Sequence, residues 1–313
     1  MFLLFVILVI AGLIVIALGA KESEKRLLHL SQYLRVPEFV TSFVIVGIAA
    51  ILPEFVIGIV SAFQHASTFG LGVVWGSNVA DLTLVIGVIV LLAGDLRLSE
   101  STLKYTKRFL LIAGLPVLFF IDGEISRLDG VFLLLAFLIY VVAMLWAKPI
   151  RRALDEKKVK MRFAIDIPIL FGVLAVLLIG ASVVTTSSQE ISALLGLPLF
   201  IVGVVVAAGT CLPELSFGID AARRMHGDLV FGPILGCVLA DAMLTTGLIA
   251  VIEPIRPPHY AAVLSNGLLM FLSAMIVTVL FRKGRLGRKE GIILAMFYLV
   301  FLVIQFSIEN LVR

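Results

Sequence analysis

Ten stretches of this sequence are apolar over the length that crosses a bilayer, near 2–19, 36–62, 69–93, 107–121, 129–147, 164–187, 196–222, 229–252, 258–281 and 290–308. A span takes about 20 such residues, and in a medium without water it must satisfy its own backbone hydrogen bonds as a helix. Threading ten spans leaves almost no chain for an aqueous domain. Of the 313 residues 61% are hydrophobic and 15% charged, against about 25% charged in soluble domains, so a soluble globular fold is excluded. The fold class predicted is an all-α polytopic membrane protein with ten transmembrane helices. The run 2–19 lacks a basic leader and offers Leu18 where a small residue should precede cleavage after Ala20, so it reads as a first span rather than a removed signal.

The basic residues report topology. Of the 25 Lys and Arg residues, 22 fall in the first, third, fifth, seventh and ninth connections; Arg127 and Arg256 lie in even ones and Arg313 at the C-terminus. This alternation puts the odd connections in the cytoplasm and both termini on the opposite side. The net charge of +4 is thereby absorbed, and nucleic acid is not expected as a partner. The basic segment 148–163 reads as a cytoplasmic connector between a first five-helix unit, 1–147, and a second, 164–313. The compact loops fit a prokaryotic inner membrane. Cys211 and Cys237 both lie in apolar runs and do not form a disulfide framework.

The chain also repeats itself at an offset of 160. Leu52-Pro53-Glu54 recurs as Leu212-Pro213-Glu214, Gly72 and Gly76 as Gly232 and Gly236, Ala80-Asp81 as Ala240-Asp241, and Gly87 as Gly247. A composition bias toward Leu, Val and Ile cannot produce matched Pro, Glu, Asp and Gly. The first copy occupies spans two and three, the second spans seven and eight, and their turns face opposite sides. Five spans per half produce two inverted-topology repeats, an arrangement of alternating-access transporters with a site near the midplane.

The repeated acids point to that site. Glu54 and Asp81 sit 27 residues apart about the turn near 64–70, so antiparallel helices rising about 1.5 Å per residue bring them to similar depth; Glu214 and Asp241 share the spacing. Each ionisable group at the bilayer centre costs on the order of 3 kcal/mol, and no Lys or Arg lies in the interiors of these four spans. The missing counter-charge is a bound cation or protons. Pro53 and Pro213 deprive the carbonyls of Ala49 and Gly209 of their helical partners, offering oxygens to a hard cation. Ser77 lies four before Asp81, Cys237 four before Asp241 and Thr210 four before Glu214, each on its acid's helix face. The glycines would let helices approach closely.

These elements, the Leu-Pro-Glu and Gly76-Ser77-Asn78-x-x-Asp81 pattern inverted across ten spans, resemble the two alpha-repeats of the calcium/cation antiporter superfamily, of the sodium/calcium exchanger type. The resemblance implies that Glu54, Asp81, Glu214 and Asp241 bind Ca²⁺ as central ligands, with Na⁺ at overlapping positions that use Ser77 and Thr210. It also implies a monomeric transport unit embedded in lipid, with no cofactor beyond the transported Ca²⁺ and Na⁺ or H⁺. The family pattern, near G-T/S-S-x-P-E, is departed from at Ala50-Ile51, which supply no side-chain oxygen, at Thr210-Cys211, and at Gly236-Cys237-Val238 in place of a second Gly-Ser-Asn. The expected activity is antiport of a divalent cation, Ca²⁺ first, against Na⁺ or H⁺. The alternative is exchange of Mg²⁺ or of softer Mn²⁺, Zn²⁺ or Cd²⁺, the soft ions favoured by the two thiols. An intramembrane acid-dependent enzyme is the remote alternative, and no catalytic motif supports it.

Overall fold

The computed structural model describes residues 1–33, 50–98, 109–110, 112–146, 156–223 and 227–312. Ala49 and the first half of the connector, 148–155, lie outside the described residues. The first repeat contributes α1 (Phe2–Tyr33), α2 (Leu52–Phe63), α3 (Ser67–Ala80), a π-helical segment (Asp81–Val85), α4 (Ile86–Ala93), the two-residue strand β1 (Leu96–Arg97), α5 (Leu115–Phe119) and α6 (Arg127–Trp146). The second contributes α7 (Glu156–Leu195), α8 (Leu199–Thr210), α9 (Leu212–Arg223), α10 (Gly227–Ala240), a second π segment (Asp241–Thr245), α11 (Thr246–Ile252), α12 (Tyr260–Phe281), β2 (Arg285–Leu286) and α13 (Arg288–Val312).

Where they are described, the spans are helices, as expected, but apolar runs mark membrane thickness rather than helix length. α1 continues through charged residues to Tyr33, and α7 begins at Glu156, inside the segment read as connector, and runs beyond 187 to Leu195. Lys, Glu and Arg are good helix formers, so the backbone has no reason to stop where the hydrocarbon does. The seventh apolar run is two helices, broken at Cys211.

Burial sorts the helices into a centre and a lipid-facing shell. α3 with α4, and α10 with α11, are largely buried. α1 instead exposes Leu3, Ile7, Ile10 and Ile14, and α13 exposes Met296, Leu299, Val300 and Val303. Those spacings of three and four form apolar stripes turned to lipid.

The inverted relation is visible in paired contacts. Gly87 of α4 packs against Gly291 of α13, and its equivalent Gly247 of α11 packs against Gly130 of α6. At one end of the molecule β1 pairs antiparallel with β2, Leu96 opposite Leu286; at the other, Ile125 bridges Ile255 at nearly equivalent positions. Residues assigned to odd connections thus meet at one end and those of even connections at the other, as alternating spans require. α1 and α7 cross at Gly12 and Gly180, where a side chain on Gly12 would strike Val184 and one on Gly180 would strike Ile16. Here the offset is 168, so Gly180 stands eight residues nearer to Glu214 in the sequence than Gly12 does to Glu54, which an ungapped comparison of the repeats does not reveal.

The central helices touch backbone to backbone. A Cβ on Gly72 would lie 2.3 Å from the Phe200 carbonyl oxygen, and one on Gly203 would lie 2.5 Å from that of Phe69, so α3 and α8 can approach only with glycine at these positions. Gly72→Ala is expected to lower stability by about 1–3 kcal/mol, the usual cost of overpacking. Gly172→Ala, where nothing lies within 4 Å, should be neutral or slightly stabilising. Thermal melts in detergent check both.

Candidate cation-binding site

Two helix breaks and two π segments carry the acids. Ile51 and Cys211 stand at the breaks with ψ of −4° and 1°, and each is followed by Leu-Pro-Glu opening a new helix, α2 or α9. Pro53 and Pro213 occupy the second position of those helices, where a missing N–H is tolerated. The helix resumes through Phe55 N–H to the Ile51 carbonyl at 2.8 Å and Leu215 N–H to the Cys211 carbonyl at 3.1 Å. The break therefore falls two residues ahead of the proline. Gly209, the described carbonyl candidate, closes α8 and packs against Leu13 of α1.

Asp81 and Asp241 are each the first residue of a π segment. A π turn inserts an extra residue per turn and is found mostly at functional sites. Its appearance twice, 160 residues apart, at the two repeated aspartates ties the distortion to the acids themselves.

Glu54, Asp81, Glu214 and Asp241 are all buried. Glu214 lies near enough to the other three to feel their charge. Among the described residues no Lys, Arg or His is seen paired with any of them; the ion pairs join other residues, as in Arg26 with Asp166 at 2.6 Å and His65 with Glu253 at 3.1 Å. Five carboxylate oxygens, Glu54 Oε2, Asp81 Oδ1, both of Glu214 and Asp241 Oδ2, are buried without a hydrogen-bond partner, as is Asn78 Oδ1. Unpartnered buried charge is among the costliest arrangements a protein can hold.

The remaining predicted residues are brought to the same place, and they divide unequally. The Thr210 hydroxyl lies against Glu54; at the mirror position Ala50 has none to offer, and Glu214 keeps both oxygens unpartnered. Ser77 lies against Asp241, which also accepts the Thr245 hydroxyl at 2.8 Å. Their mirror images are Cys237, whose Sγ is 3.6 Å from Asp81 Oδ2, and Val85. Cys211 also contacts Asp81, with Sγ 3.7 Å from the Ser77 carbonyl oxygen; its mirror image is Ile51, packed with Cys237 and Ala240. One flank of the site is thus lined by hydroxyls and the other by thiols and alkyl groups. Ser77 and Thr210 donate their protons to the carbonyls of Val74 and Ala207, both at 2.9 Å, leaving oxygen lone pairs for a cation.

Among the described residues no three His, Cys, Asp or Glu side chains converge tightly enough to grip a metal ion as they stand. Ligation therefore requires the acids to turn inward, which an ion's charge would drive and their mutual repulsion opposes. Gly72 and Gly76 make the close helix approach expected of them, both against α8; a Cβ on Gly232 would meet nothing among the described residues.

Sequence reasoning missed Thr245 and Asn78 as site residues. The signal for Thr245 was its position four after Asp241, hidden because the repeat places Val85 there. Thr245→Val is expected to destabilise by about 1 kcal/mol or more, the worth of a buried hydrogen bond to an acid, and to weaken divalent binding severalfold, whereas Thr83→Val, whose hydroxyl bonds the Val79 carbonyl, should leave binding unchanged. Thermal melts and equilibrium ⁴⁵Ca²⁺ binding measure the two effects.

The family model of the sodium/calcium exchanger protein matches residues 4–146 and again 166–307. The chain is 26% identical to the sodium/calcium exchanger MaX1 of Methanosarcina acetivorans, over 96% of this chain and 98% of that one. It is 24% identical to the inner membrane protein YrbG of Escherichia coli, over 97% of each. Solved structures of the sodium-calcium exchanger NCX_Mj share its fold, with a TM-score of 0.70 at 22% identity, covering 97% of this chain and 99% of the other.

Proposed function

The chain belongs to the sodium/calcium exchanger protein family, a family of cation antiporters rather than enzymes, and from that premise we propose that it exchanges Ca²⁺ against Na⁺ or H⁺ about Glu54, Asp81, Glu214 and Asp241. The observation that carries this reading is the set of five buried carboxylate oxygens without a partner. Four acids with no basic residue among them need positive charge from outside the chain, and many oxygen donors of adaptable geometry suit Ca²⁺ better than Mg²⁺, which keeps its water and demands a strict octahedron. Thr210, Ser77 and Asn78 add neutral oxygens to the set.

Exchange follows from the same charge. Ion-bound or protonated, the cluster is neutralised and can pass the hydrophobic barrier between inward- and outward-open states; bare, it cannot. α1 and α7 pack chiefly on each other across their glycine crossing, which makes them the candidate moving pair. The hydroxyl flank at Thr210 and Ser77 accommodates Na⁺. The Ala50 and Ile51 flank offers it no oxygen, so the counter-ion on that side is a proton on the carboxylates. The inner membrane named for the Escherichia coli relative agrees with an inner-membrane location, with the basic odd connections in the cytoplasm, and the site, built from both repeats of one chain, supports a monomeric transport unit.

In proteoliposomes, ⁴⁵Ca²⁺ uptake should be driven by an outward gradient of Na⁺ or of H⁺. Glu54→Gln and Glu214→Gln should each reduce it to roughly one hundredth or less, as losing several kcal/mol of ligand free energy demands, with unchanged insertion and an ion-free melting temperature no lower than that of the wild type. Uptake retained in either variant would remove the site from the reading. Thr210→Val should raise the Na⁺ concentration needed for half-maximal uptake several-fold and leave proton-driven uptake intact.

A further inference from the structure

The two aspartates are equivalent in the repeat but not in their surroundings. Asp241 is met by the hydroxyls of Ser77 and Thr245, whereas Asp81 is met by two thiols, Cys237 and Cys211. Both sulfurs are buried and unbridged, they come from different elements, α10 and the break before α9, and they reach across from the second repeat to an acid of the first. Asp81 Oδ1 is buried and has no partner, so the carboxylate between the sulfurs retains a free ligand atom.

We propose that Cys211, Cys237 and Asp81 form a binding site for thiophilic divalent cations, of the Zn²⁺ and Cd²⁺ class, on the sulfur flank of the exchange site. It deepens the functional reading above, since Asp81 belongs to both. As they stand the three side chains do not yet converge on one point, so an ion entering here draws both sulfurs in toward Asp81, as Ca²⁺ must draw in the acids. With metal–sulfur bonds of about 2.3 Å and metal–oxygen bonds of about 2.1 Å, a tetrahedron has a sulfur–oxygen edge of about 3.6 Å. Cys237 Sγ stands 3.6 Å from Asp81 Oδ2, at that edge length, while Cys211 Sγ, now 3.7 Å from the Ser77 carbonyl oxygen, has to turn toward the carboxylate to complete the set. Thiolate donors select soft ions over Ca²⁺, while the carboxylates do not discriminate so strongly. A soft ion held here occupies the aspartate that Ca²⁺ requires, so the two compete. Each thiol that ligates releases its proton as the metal–sulfur bond forms.

The repeat supplies the control, because Cys237→Ser makes that position a copy of Ser77. Full-length protein in detergent is titrated with Cd²⁺ while ultraviolet thiolate-to-metal charge transfer is recorded, and Cd²⁺ is then used to displace bound ⁴⁵Ca²⁺. In the wild type the band rises to one Cd²⁺ per chain and Cd²⁺ displaces Ca²⁺. In Cys211→Ser/Cys237→Ser the band is lost and the Cd²⁺ needed for displacement rises on the order of tenfold or more, with the melting temperature kept. If the double variant does not fold, Cys237→Ser alone should show a weakened band and weaker Cd²⁺ binding. No band in the wild type, or equal Cd²⁺ affinity in the serine variants, overturns the proposal and leaves the thiols as hydrogen-bond donors to Asp81. A thiol-dependent band in a protein that neither binds nor transports Ca²⁺ upholds this site and sinks the Ca²⁺ reading instead.

Discussion

Four carboxylates buried together without a basic partner set the terms for everything else in this molecule. In a low-dielectric interior their mutual repulsion and lost hydration are each worth several kcal/mol, far more than a fold with a margin of about 5–15 kcal/mol can carry without compensation. Among the described residues the ion pairs, such as Arg26 with Asp166, His65 with Glu253, Arg256 with Glu124 and Lys283 with Glu290, involve none of the four acids. Compensation has to come from ions that enter and leave, and a protein whose stability at one point depends on a mobile ion is already most of the way to being a transporter.

The backbone is shaped around that requirement. Helix breaks at Ile51 and Cys211 start new helices at the glutamates, and π segments begin at the aspartates. These irregularities are tolerated in a membrane only where they are enclosed by protein or line a polar cavity. Enclosure is supplied by the buried α3 and α10 at the centre, with α3 and α8 brought into backbone contact at Gly72 and Gly203. Symmetry then gives each feature a counterpart, and the deviations from symmetry become informative: Thr210, Ser77 and Thr245 supply hydroxyls where the other copy has Ala50, Cys237 and Val85, and Cys211 stands where it has Ile51.

Much of this was legible in the sequence, for physical reasons. Charge placement and apolar length fix the spans because the bilayer imposes both, and the repeated Leu-Pro-Glu and Ala-Asp pairs expose the inverted halves. Glu54, Asp81, Glu214 and Asp241 could be named because a buried acid has no cheap structural use. Helix ends were not legible: α1 runs to Tyr33 and α7 from Glu156 to Leu195, because helix formers continue where hydrocarbon stops. Nor could the sequence reveal that a proline break lands at Cys211 rather than Pro213, or that a π turn begins at each aspartate, since both depend on how neighbouring helices hold the backbone. The eight-residue difference between the Gly12–Glu54 and Gly180–Glu214 spacings was hidden because only the middle of the repeat retains matched residues, and Ala49 lies outside the described residues.

The central claim is that the acid cluster is one divalent-cation site shared by both repeats. Its most direct test is the stoichiometry of equilibrium Ca²⁺ binding to the purified protein, measured beside the variant neutralised at all four positions, Glu54→Gln, Asp81→Asn, Glu214→Gln and Asp241→Asn. The account predicts one Ca²⁺ per chain in the wild type and none in the variant, which without Ca²⁺ should melt at a higher temperature than the ion-free wild type because the repulsion is gone. Ca²⁺ binding that survives in the variant, or a variant that is no more stable than the ion-free wild type, would contradict it.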